Sequence, residues 1–130
     1  MSSAFSIIGS ILIFLAAVFH VYVFILESIA WRSPKTWKAF GLPNQEHADI
    51  IRPMAFNQGF YNLFLALGAG VGLALFSINS TIAFTLMLFS ALCMVGAGAV
   101  LFFSIKTSRR AAIIQAGPPL FGVLFVLLGR

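Results

Sequence analysis

Four long apolar segments, at about 5–31, 54–76, 82–105 and 111–128, take up most of this chain. Each is long enough to cross a hydrocarbon core of about 30 Å at a rise of about 1.5 Å per residue. In lipid every backbone N–H and C=O must be satisfied within the protein, so segments of this kind cross as helices. The pattern predicts an all-α integral membrane four-helix bundle in one domain, with an interfacial loop at about 32–53. Composition agrees: 61% of the 130 residues are hydrophobic and 8% charged, and the mean hydropathy is +1.04. Soluble domains are roughly 45–50% apolar and 25% charged. No length remains for a soluble catalytic domain.

The net charge of +5 would suggest nucleic acid in a soluble protein, but here the basic residues orient helices. Arg32, Lys35, Lys38 and Arg52 lie between the first two segments, and Lys106, Arg109 and Arg110 between the last two. Under the positive-inside rule both loops are cytoplasmic and both termini lie outside. The start of the chain has no basic region before its apolar run, so the first helix is expected to be retained. Cys93, the one cysteine, reads as packing.

Between the second and third segments lies only Ser77-Ile78-Asn79-Ser80, which predicts a tight hairpin with Asn79 or Ser80 as N-cap. In the longer loop, Ser33 as N-cap, Pro34 at the first position and Gly41 as stop predict a short helix. Trp31 and Trp37 are expected as anchors at headgroup depth, with Phe40 beside them. Asn44 to Arg52 reads as a helix running through Pro53 into the second span. Glu46, His47 and Asp49 there read as a solvated face and not as a metal site. Gly117, Pro118 and Pro119 should kink the fourth helix or split it. Gly68 and Gly72 in the second span, and Gly96 with Gly98 in the third, suit close helix packing.

Polar residues at membrane depth carry the functional signal, because an unpaired ionisable group there costs at least about 2.5 kcal/mol. The first span holds His20 and Glu27, seven residues or about 10.5 Å apart along the axis. The second opens with Asn57, Gln58, Tyr61 and Asn62 within an arc of about 140° at 100° per residue, one polar stripe. The fourth adds Gln115. Counted inward from the loop, Glu27 is about 6 Å deep, Asn62 about 13 Å and His20 about 16 Å. These seven residues are expected to line a vestibule in the cytoplasmic half, as binding or proton-linked groups. Amides and histidine also serve as helix glue for about 0.6 to 2 kcal/mol each. Glu27 is the strongest functional candidate, since an amide would glue without the burial cost.

His20-Val21-Tyr22, Leu26-Glu27 and Trp31, Phe40-Gly41-Leu42, the block Asn57-Gln58-Gly59-Phe60-Tyr61-Asn62 with Phe64-Leu65-Ala66, and Gln115-Ala116-Gly117-Pro118 together resemble the small bacterial membrane proteins grouped as domain of unknown function thirteen-hundred-and-four. The resemblance covers nearly the whole chain. It implies a four-helix membrane protein whose signature includes His20, Glu27, Trp31, Asn57, Gln58, Gly59, Tyr61, Asn62 and Gln115. It supplies no activity. Ser28-Ile29-Ala30 departs from the bulkier apolar residues of the relatives.

Three function classes remain. The first is a small carrier or exporter of lipophilic or cationic molecules with Glu27 as the proton-exchanging acid, similar in outline to small multidrug resistance transporters; a homodimer would supply the path. The second is a membrane-embedded binder or accessory subunit for a quinone, lipid or haem. The third and least favoured is an intramembrane acid/base enzyme, for which Glu27 and His20 stand two turns apart and no nucleophile motif is present. The lipid bilayer is the expected partner and nucleic acid is not. There is no nucleotide-binding loop, zinc motif or nucleophile elbow.

Overall fold

Every backbone group in an apolar segment must find a partner inside its own segment, and the structure meets that demand with helices throughout. The computed structural model describes residues 3–130, which are helical apart from short connections, with no strand among them. Helix α1 is Ala4–Phe24 and continues as one π-helical turn, Ile25–Ile29. The others are α2 (Pro34–Ala39), α3 (Gln45–Ala74), α4 (Ser80–Ser104) and α5 (Arg109–Leu128).

Three stretches are long and apolar enough to cross a membrane: Ala4–Ile29, Ser80–Ser104 and Lys106–Leu128. The expected second span is the exception. At 30 residues α3 is about 45 Å long, which is ample. However, Glu46, Asp49 and Arg52 occupy its first third and Asn57, Gln58 and Asn62 follow, so it is not apolar enough to count with the rest.

The chain divides into two units, residues up to Phe19 with Leu65–Arg130, and His20–Phe64. In the first, Ile13, Ala16, Ala69, Met87, Ala91, Met94 and Val123 form the core, its alanines letting backbones approach closely. A Cβ on Gly72 would lie 2.7 Å from Met87 Cγ, and one on Gly68 would overlap the Ser90 hydroxyl. Gly96 is a correction: it faces outward with nothing near it, and Gly98 makes the close contact instead, against Ala116 Cβ. The two glycines lie about 200° apart on the helix, so only one can face a neighbour. The hairpin forms with Asn79 as the cap of α4, its Oδ1 accepting from Ile82 N at 3.0 Å. Helix α5 is unbroken across Pro118 and Pro119. The two rings remove only the donors that would serve the carbonyls of Ile114 and Gln115, and Pro119 is itself fully buried.

The second unit has its own small core of Trp31, Trp37, Ala48 and Ala55, with Leu42 packed on it. Helix α2 starts with Pro34 at its first turn after Ser33, where the missing N–H costs nothing. It stops at Gly41, whose φ of 83° suits a residue without Cβ. Gly41 N then donates to Lys38 O at 2.9 Å and Leu42 N to Trp37 O at 3.1 Å, the paired bonds of a Schellman cap with its hydrophobic contact. Asn44 opens α3, its Oδ1 accepting from His47 N at 3.0 Å, and the helix runs through Pro53 to Ala74.

Candidate functional site

The acid of the first span lies inside the π-helical turn, which closes through Ala30 N donating to Ile25 O at 2.8 Å. Such a turn inserts an extra residue into the helical register and recurs at functional sites. Here it brings Ser28 against α3 at Gly59, where a Cβ would overlap the Ser28 hydroxyl and lie 3.1 Å from its backbone N. Ser28 Oγ donates to Phe56 O at 2.8 Å, and Phe24 packs edge-on against Phe60 with ring centres 5.1 Å apart. This contact fixes the turn on α3.

Glu27 is thereby buried, at 8% exposure, opposite the one amide placed to meet it. Asn62 Nδ2 donates to Glu27 Oε1 at 2.7 Å and to Gln58 O at 3.1 Å. Glu27 also forms part of the wall of a cavity of about 210 Å³. The rest of that wall is Ser28 and Ile29 of the π turn, Trp31 and Arg32 beyond it, and Arg52 and Phe56 of α3. Trp31 Nε1 donates to Ala48 O at 2.9 Å, so the indole that borders the cavity is held rigidly. A larger cavity of about 310 Å³ lies in the other unit, lined by Ser6, Phe76, Ser80, Phe84, Val126, Gly129 and Arg130. The Arg130 guanidinium sits 4.0 Å over the Phe84 ring. The smaller cavity is the candidate site, because it holds the buried acid.

Of the seven residues expected to line one vestibule, the structure brings Glu27 and Asn62 together. Asn57, Gln58 and Tyr61 are exposed, and Gln58 contributes only its backbone carbonyl. The arc of about 140° was too wide for one face to be buried. His20 is fully buried and does not border the cavity; Gln115 is half-buried on α5 in the other unit. Trp31 and Trp37, placed at headgroup depth by the sequence, turn their rings into the core of their unit, and Trp37 Nε1 donates to Gln45 Oε1 at 3.3 Å. His47 Nδ1 lies 2.8 Å from Asn44 Oδ1, and Asp49 accepts from Gln45 Nε2 at 2.8 Å.

Sequence reasoning missed Ser28, Arg32, Arg52 and Phe56 as site residues. The arginines were read only as orienting charges, although they stand at the two ends of one loop, where the flanking helices meet. Ser28 carried a signal as a small polar residue where bulkier apolar ones were expected.

A family described as "Protein of unknown function (DUF1304)" matches residues 14–127. The chain belongs to this family. The matched span takes in every residue that borders the Glu27 cavity, so the site lies within the DUF1304 domain and not in an appended segment. No curated protein and no solved structure matches the chain.

Proposed function

We propose that this DUF1304 protein is a multi-pass protein of the bacterial cytoplasmic membrane that binds a small amphiphile beside Glu27 and carries it, exchanging a proton at that carboxyl. One observation carries the reading: a buried acid, tied to Asn62, that is also a wall of a cavity. Holding two helices together needs only an amide, whereas a carboxyl costs at least about 2.5 kcal/mol to place at membrane depth. A group that must gain and lose a proton against a ligand justifies that cost. In this reading α3 is a fourth span from about residue 54 to its end at Ala74, apolar from Leu63 onward and with Asn57, Gln58 and Asn62 in its cytoplasmic part. The seven basic residues of the two loops are then cytoplasmic and the cavity opens to that side.

The cavity's size bears on the ligand. At about 210 Å³ it is smaller than the roughly 300–1,000 Å³ sites that enclose drug-sized molecules. A headgroup or a small ring fits it and a porphyrin does not. His20, the imidazole that a haem could use as an axial ligand, lies outside its wall.

The test is proton exchange on binding. Purified protein in weakly buffered detergent is mixed with a panel of charged and neutral amphiphiles, and proton release or uptake is followed with an indicator dye. Exchange of up to one proton per chain, absent in Glu27→Gln, supports the carrier. Binding without proton exchange in the wild type would reduce the protein to a static binder.

A further inference from the structure

Arg32 and Arg52 border the same cavity from different elements. Arg32 follows the π turn and Arg52 stands on the second turn of α3, twenty residues further along the chain. Both are exposed, and neither enters an ion pair or a side-chain hydrogen bond among the described residues. The acid in the same wall bonds to Asn62 and to neither arginine. Two guanidiniums against one carboxyl leave the cavity cationic whatever the protonation of Glu27. That charge disfavours a cationic cargo and favours an anion.

We propose that this cavity is a phosphate site, with Arg32 and Arg52 clamping the phosphate group of an amphiphile whose apolar part lies against Trp31 and Phe56. The inference rests on the Glu27 reading and names its ligand chemistry. Planar guanidinium forks pair with phosphate oxygens through parallel hydrogen bonds, which a lysine ammonium does not reproduce. Arg32 comes three residues after the last residue of the apolar stretch Ala4–Ile29, the depth of lipid headgroups. Basic pockets at this depth between helices hold anionic lipid headgroups. A soluble phosphoester would be held by the same two forks.

The probes are phosphatidylglycerol, a diacylglycerol with the same tails, and inorganic phosphate, added to the full chain in mild detergent. Bound molecules are counted by native mass spectrometry and followed by the combined fluorescence of Trp31 and Trp37. The wild type is expected to prefer phosphatidylglycerol over diacylglycerol by about tenfold or more. Arg32→Gln/Arg52→Gln should lose that preference. Lys35→Gln/Lys38→Gln, which removes two exposed charges outside the cavity, should keep it. Arg32→Lys/Arg52→Lys, which preserves charge and so guards against misfolding of the neutral variant, should bind more weakly than the wild type because the forks are gone.

Excess inorganic phosphate decides the source. No displacement of the lipid assigns a headgroup, and displacement assigns a soluble phosphoester. Equal binding of the two lipids by the wild type, or an unchanged preference in Arg32→Gln/Arg52→Gln, would overturn the phosphate site. If proton exchange at Glu27 persists in that case, only the ligand assignment falls. If Glu27→Gln exchanges protons like the wild type, the carrier reading falls and the phosphate result stands on its own.

Discussion

Asn62 reaches across 35 positions of sequence to donate from Nδ2 to Glu27 Oε1 at 2.7 Å, and the same nitrogen donates to Gln58 O one helical turn below it. The second bond fixes the amide's rotamer, so the first is aimed at the acid before any ligand arrives. Asn62→Leu fills the space yet leaves the buried carboxyl without its donor. An unsatisfied buried polar group costs about 1–3 kcal/mol, more if charged. Thermal unfolding in detergent should show a loss of that size. Glu27→Gln keeps an oxygen that can accept from Asn62 and should stay within about 1 kcal/mol of the wild type.

Gly59 is where the π turn meets α3. A methyl group there would overlap the Ser28 hydroxyl and press on the Ser28 backbone nitrogen at 3.1 Å, an atom that cannot move without the turn. Gly59→Ala is expected to destabilise by about 1–3 kcal/mol, the usual range for overpacking. Adding Ser28→Ala should recover only part of this in the same assay, because the backbone contact remains.

The elements were legible wherever one local rule decided them. Ser33, Pro34 and Gly41 mark α2 because a proline ring and a positive φ are properties of single residues, and Asn79 marks α4 through one side-chain bond. The long apolar runs mark α1, α4 and α5 because lipid permits no other backbone solution. The site was less legible. Spacing put Asn57, Gln58, Tyr61 and Asn62 on one stripe, but which of them turns inward depends on where the neighbouring helix lies, and only Asn62 does. Periodicity also presumes a regular helix through Glu27. The extra residue of the π turn breaks that register, and no residue type announces it. Arg32 and Arg52 were hidden by a sufficient simpler explanation, the orientation of helices in a membrane.

The most direct measurement is the identity and amount of small molecules that co-purify with the wild type and with Glu27→Gln, read by mass spectrometry after mild-detergent extraction. Glu27→Gln preserves the contact with Asn62, so it separates the acid's chemistry from its packing. The account predicts a phosphate-bearing amphiphile retained by the wild type and held at least as well by Glu27→Gln, which removes a negative charge beside the phosphate, with proton exchange on binding confined to the wild type and both proteins equally stable. Nothing bound to either, or the same proton exchange in both, would contradict it and leave Glu27 and Asn62 as a tie between helices.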